Sequence, residues 1–96
     1  MNGLLLAGLL AIQPITVTAY VEAGVTASGV YTHPGTVACP PALDFGQQVV
    51  IDGLGTYTCE DSYSRALGPR FDVWVADRAT AFALTGRYTW RLADTD

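Results

Sequence analysis

After Pro14, apolar and polar positions alternate in period two, with Ile15, Val17 and Ala19 on one face and Thr16, Thr18 and Tyr20 on the other. This is the pattern of a half-buried β-strand. Gly24, Ser28, Gly29, Pro34 and Gly35 punctuate the stretch from Glu22 to Gly35, which predicts a long loop with one short β-segment around Val30-Tyr31. Thr36-Val37-Ala38-Cys39 reads as a short strand stopped by Pro40-Pro41, because two prolines remove ladder donors and fix an extended turn. Gln47 to Ile51 is a further strand, and Asp52-Gly53 followed by Leu54-Gly55 predicts a hairpin turn into Thr56-Tyr57-Thr58-Cys59. A second loop, Asp61 to Pro69, leads to the strand Arg70 to Val75, where Phe71, Val73 and Val75 share a face. Asp77 is a suitable N-cap for a short helix from Arg78 to about Thr85, with Gly86 as its C-terminal stop. Tyr88 to Leu92 is the closing strand. Short strands, one short helix and frequent Gly/Pro turns predict a mainly β chain forming a small closed barrel rather than an open sheet.

The N-terminus breaks this pattern. From Gly3 to Ile12 the residues are almost all apolar, yet the run falls short of the about 20 residues that a membrane helix needs. It has the length of a signal-peptide apolar region but no positive charge before it and no small-x-small cleavage site before Pro14. Two readings stay open: a degenerate export signal, or a segment that docks on this domain or on a neighbouring subunit. The chain thus divides into an apolar segment, residues 1–13, and one domain, residues 14–96. Its 96 residues leave no room for a second domain, and with half of them apolar and 15% charged the composition is that of a folding chain. Five Arg and no Lys stand against nine acidic residues, so a formal net charge of −4 excludes a phosphate backbone as partner.

Cys39 and Cys59 lie twenty apart with no CxxC or Cys/His grouping, so no metal ligand set is expected. They are either a disulfide between neighbouring strands, contributing about 3 kcal/mol and indicating an oxidising compartment, or two buried small hydrophobes.

A set of residues spread over most of the chain resembles a known family. In order they are Val17-Thr18-Ala19-Tyr20, Thr26-Ala27-Ser28-Gly29, Gly35-Thr36-Val37-Ala38, Gly46, Gly55, Glu60-Asp61, and Gly68-x-Arg70-x-Asp72-Val73. Together they look like the 3D (three-aspartate) domain, a double-psi β-barrel found in membrane-bound lytic transglycosylase A and in stationary-phase survival muralytic proteins. Asp61 and Asp72 keep that family's spacing of eleven, with Gly68 and Arg70 in register. The departures are also clear. Ser62-Tyr63-Ser64 stands where the family has Gly-Gly, Leu67 where it has Lys, and Pro40 where it has the first of its three aspartates. Asp44, in the same loop, is a possible substitute.

The resemblance implies a six-stranded double-psi barrel with one short helix and cleavage of the peptidoglycan glycan strand without a cofactor. In such lytic transglycosylases one carboxyl protonates the glycosidic oxygen and then, as carboxylate, takes the proton of the sugar's C6 hydroxyl. A 1,6-anhydro product results, and the second carboxylate of a hydrolase is not needed. Asp61 would be the acid/base, made competent by burial or a nearby negative charge, with Asp72 facing it across the groove. Thr18 and Tyr20 would orient the carboxyl or the sugar through their hydroxyls, Arg70 of the matching motif would bind substrate, and Tyr63 or Trp74 would stack on a pyranose ring. The bland readings are an Asp61 that caps a turn and an Asp72 paired with Arg70 or Arg65. Glu60 should point away from Asp61 as a solvated charge, His33 should be a surface turn residue, and Trp90 a core or interface residue. The implied location is extracytoplasmic, at the cell envelope or in a phage virion. The rival is a non-catalytic structural module of a phage particle or other assembly, contacting its partners through residues 1–13.

Overall fold

The computed structural model describes residues 13–93, so the apolar run over residues 3–12 lies outside the described residues. The strands are β1 (Gln13–Tyr20), β2 (Thr36–Ala38), β3 (Gln48–Ile51), β4 (Gly55–Asp61), β5 (Arg70–Trp74) and β6 (Gly86–Leu92). A 3-10 turn at Arg65–Leu67 precedes β5, and one α-helix, α1 (Arg78–Leu84), precedes β6. The strands close into a barrel in the order β1-β5-β2-β4-β3-β6, which leaves no unpaired edge. β1 runs parallel to β5 and β2 parallel to β4, whereas β1–β6, β2–β5, β3–β4 and β3–β6 are antiparallel. The mainly β, closed six-stranded barrel with one short helix is therefore what the chain forms. Among the described residues no helix is long and apolar enough to cross a membrane.

Period-two alternation sets the core. Ile15, Val17, Val37, Val49, Ile51, Cys59, Phe71 and Val73 point inward and are buried. Phe71 meets the partly buried Trp90 ring edge to face at 4.9 Å, so Trp90 belongs to the core side of β6. Leu84 of α1 packs on the same cluster. The β3–β4 hairpin turns where the sequence predicts it: Leu54 N–H bonds Ile51 O at 2.9 Å, and Gly53 at φ 90° takes the left-handed position that the turn requires.

Two local expectations change. Asp77 does cap α1, its carboxylate accepting Thr80 N–H at 2.8 Å, but Gly86 does not stop the helix. The chain leaves α1 through an extended Thr85, and Gly86 already pairs with Val17 in β6. The last helical carbonyls are met by side chains instead: Thr85 Oγ1 donates to Ala81 O at 2.9 Å and Tyr88 Oη to Leu84 O at 2.5 Å. The β-segment expected near Val30-Tyr31 is a single bridge, Val25 to Tyr31, which folds residues 24–32 into a small hairpin-like loop.

Candidate active site

Three strand registers place four residues on one rung. Thr18 of β1 pairs with Asp72 of β5, Asp72 with Ala38 of β2, and Ala38 with Asp61 of β4. The preceding residues Val17, Phe71 and Val37 are the inward ones, so Thr18, Asp72 and Ala38 lie on the outer face. Asp61 joins them only because of an irregularity. The β2–β4 register jumps from Val37↔Cys59 to Ala38↔Asp61, leaving Glu60 without a partner on β2. In a regular strand Asp61 would share the inward side of Cys59; one extra residue moves it to the outer face. The two aspartates are two strand spacings apart, roughly 10 Å at the backbone.

Asp61 is held by three donors. Tyr20 Oη donates to its Oδ2 at 2.7 Å, while Ala27 N–H and Ser62 N–H reach its Oδ1 at 3.0 and 2.9 Å. Asp72 receives one, Thr18 Oγ1 at 2.9 Å. Burial holds the Asp72 carboxyl above the usual aspartate range, with the Asp61 and Glu22 charges adding to the rise and the Thr18 hydrogen bond and Arg70 opposing it. The Tyr20 phenol is driven far up by burial, by its hydrogen bond to Asp61 and by the negative charges around it. It thus keeps its proton and donates a hydrogen bond to Asp61 throughout the ordinary pH range.

Arg70 forms no ion pair with Asp72 within 4 Å among the described residues. Its guanidinium instead ties down the loop before β5, donating to Gly68 O at 3.4 Å and to Leu67 O. Its backbone N–H donates to Tyr63 Oη at 3.0 Å, which fixes the phenol ring. The cysteines are joined as Cys39–Cys59, resolving the two sequence readings in favour of the disulfide. This link and a Cys39 N–H to Asp61 O bond of 3.2 Å clamp the end of β4 against Pro40-Pro41.

Glu60 departs from expectation, whereas His33 is exposed and opens the turn closed by Thr36 N–H on its carbonyl at 3.0 Å, as expected. Glu60 is not a solvated charge: its side chain is 14% exposed and lies 2.8 Å from His33 Nε2, and it accepts the Thr36 hydroxyl at 2.9 Å. His33 is thus a surface turn residue that is also the partner of a carboxylate. The pair, together with a Ser28 N–H to Glu60 O bond of 3.0 Å, pins the 24–33 loop to β4 and so sets the Ala27 N–H against Asp61.

An open cleft of about 410 Å³ borders Asp61, walled by Pro40, Pro41, Phe45, Tyr63 and Arg65. A pocket of about 180 Å³ that reaches Gly68 and Pro69 shares Pro40, Pro41, Tyr63 and Arg65 with it. Asp44 and Phe45 also line a depression of about 720 Å³ that includes Gln48 and Leu92. Asp61 and Tyr63 thus line a groove, and Thr18, Tyr20, Arg70 and Asp72 stand behind it. Asp72 is beside Asp61 along the rung, not across the groove from it. Trp74 donates its indole N–H to Glu22 O at 3.1 Å, away from this groove. Two functional groups escape a reading of residue types: the Ala27 N–H, whose only trace is the Thr26 to Gly29 motif, and Arg65, placed by the 3-10 turn. Among the described residues no cluster of three His, Cys, Asp or Glu is arranged to hold a metal ion.

Fold and site define a class: a closed six-stranded barrel with a hydrogen-bonded carboxylate on its outer face at the wall of an open groove. No family model, curated protein or solved structure matches the chain.

Proposed function

We propose that the protein cleaves the peptidoglycan glycan strand as a lytic transglycosylase, with Asp61 as its acid/base. The observation that carries this reading is the setting of that one carboxyl at the groove wall. Its Oδ1 is taken by two backbone N–H groups and its Oδ2 by one phenol. An oxygen accepting a single hydrogen bond has a further position for a proton or a sugar oxygen. Asp61 delivers its proton to the glycosidic oxygen as the bond to C1 breaks. The carboxylate left behind, stabilised by the Tyr20 hydroxyl, takes the C6 hydroxyl proton while that oxygen closes on C1. The proton returns to Asp61, the product is a 1,6-anhydro sugar, and no water is consumed. The cleft at Asp61 is open to solvent and adjoins further depressions that share its walls, which gives room for more than one sugar of a polymer. The disulfide favours a location outside the cytoplasm, at the cell envelope or carried on a phage particle.

One observation favours a second reading. The same three bonds make Asp61 a strut between β4, β1 and the 24–33 loop, and Pro40 occupies the place of the family's first aspartate. A barrel that keeps the strut without turnover would serve as a structural module of a phage particle or other assembly. Incubation with purified sacculi separates the two. The transglycosylase releases 1,6-anhydromuropeptides, and Asp61→Asn lowers that release by about 100-fold or more, the scale of a general acid/base. Equal release from Asp61→Asn would reject the role of Asp61, and none from the wild type would leave the structural module.

A further inference from the structure

Of the five arginines, three are engaged elsewhere and a fourth lies outside the groove. Arg70 binds carbonyls of its own loop, Arg87 donates to Thr16 Oγ1 at 3.2 Å, Arg91 lies 4.0 Å from Asp52, and Arg78 borders a separate cleft between α1 and the end of β1. Arg65 lines both the cleft at Asp61 and its extension toward Pro69. Two carboxylates, Asp44 and Asp61, line the same cleft, yet among the described residues neither lies within 4 Å of the guanidinium. The chain carries a net charge of −4 and in solution repels anionic polymers. An unpaired guanidinium in the groove of such a chain is the one group there that attracts an anion.

From this placement we infer that Arg65 is a specificity-determining residue that binds a carboxylate carried by the saccharide, beside the ring that rests on Tyr63. The inference rests on the peptidoglycan reading above and deepens it by naming the residue that binds an acid of the strand close to the cleaved bond. The planar guanidinium matches a carboxylate through two parallel N–H···O bonds. The 3-10 turn supports this placement: Ser64 Oγ accepts Ala66 N–H at 3.3 Å and Gly68, at φ 83°, ends the turn with its N–H on Arg65 O at 3.1 Å. The carboxylate could be the lactyl acid of a peptide-free muramyl residue or an acid of its stem peptide.

The test measures binding in an Asp61→Asn background, where turnover is suppressed, to three ligands: peptide-free glycan strands, strands with intact stem peptides, and neutral chitin oligosaccharides. Expected is a preference for an acidic ligand over chitin of about 5- to 10-fold at low salt, weakening as salt is raised. Arg65→Gln brings the acidic ligand down to the affinity of chitin, Arg65→Lys keeps part of the preference, and Arg91→Gln keeps all of it. Which acidic strand is preferred identifies the source of the carboxylate. A preference that survives Arg65→Gln, or equal affinity for chitin before substitution, overturns the role of Arg65 and leaves the glycan reading standing. Binding to none of the three saccharides removes both.

Discussion

The two parallel strand pairs each carry one aspartate on the barrel's outer face, and they hold it by different means. Between β1 and β5 the register runs unbroken from Thr16↔Arg70 to Tyr20↔Trp74, and Asp72 takes one hydroxyl from the strand beside it. Between β2 and β4 the register breaks at Glu60, a disulfide crosses the pair, and a loop arrives to donate to Asp61. The regular ladder half-buries its acid with little compensation. The broken ladder turns its acid toward a groove and surrounds it with donors. An irregular strand therefore does what alternation cannot: it brings a residue of inward parity to the outer face and keeps it there with bonds from three segments.

The largest way to break this difference is to remove the staple. Cys39→Ser with Cys59→Ser, or reduction of the wild type, frees a loop closed over a sequence separation of 20. A loss of about 3 kcal/mol is expected, or on the order of 15 °C in melting temperature for a chain of this size. Melting with and without reductant checks it, and an unchanged midpoint would mean that the β2–β4 pair stands without the link.

Next in size is Tyr20→Phe, which takes one of three donors from Asp61 and leaves the core untouched. A destabilisation of about 1 to 2 kcal/mol is expected from a lost side-chain hydrogen bond that leaves its acceptor short of a donor, read by urea denaturation. Under the proposed function, release of anhydro products falls as well, because the carboxylate formed after proton transfer loses its phenol. Thr18→Val is the matching change on the regular pair. If it costs as much as Tyr20→Phe, the contrast between the two acids is overstated.

The regular half of this comparison is the half legible in the sequence. Alternation marks β1 and β5, and the Asp52-Gly53 turn and the Asp77 cap follow from residue chemistry close by in the chain. The irregular half is not legible in the same way. Period two carried past Cys59 gives Glu60 to solvent, whereas the bulge and the Thr36 and His33 side chains, far along the chain, make it a bonded anchor. Gly86 has the composition of a helix stop, but side-chain donors already serve the carbonyls at the end of α1 and the strand begins at once. Cysteine spacing says nothing of spatial proximity, so the disulfide is decided only when β2 and β4 pair. The roles of Asp61, Thr18 and Tyr20 come from a resemblance in the order of motifs, and the Ala27 N–H is a backbone group that no residue type announces.

The finest test concerns the charge on Asp72 itself. Its folded carboxyl is shifted upward, first by burial and then by the charges of Asp61 and Glu22, against the pull of Thr18 and Arg70. A raised acid binds its proton more tightly in the folded chain than in the unfolded one. Its contribution to stability is thus complete below the ordinary aspartate value of 3.8 and is lost as pH rises through the folded value. Asp72→Asn removes this dependence while keeping an oxygen to accept the Thr18 hydroxyl. The wild type should hold its largest advantage over Asp72→Asn at acid pH, and that advantage should shrink on the way to neutrality. Urea midpoints of both proteins from pH 3 to pH 8 measure it, and the difference between them is the quantity to plot. A difference that does not change with pH would show that the Thr18 bond and Arg70 fully offset burial on the regular pair. A difference that grows toward neutral pH would mean that the ionised Asp72 is stabilised in the fold, and the two pairs would then hold their acids alike.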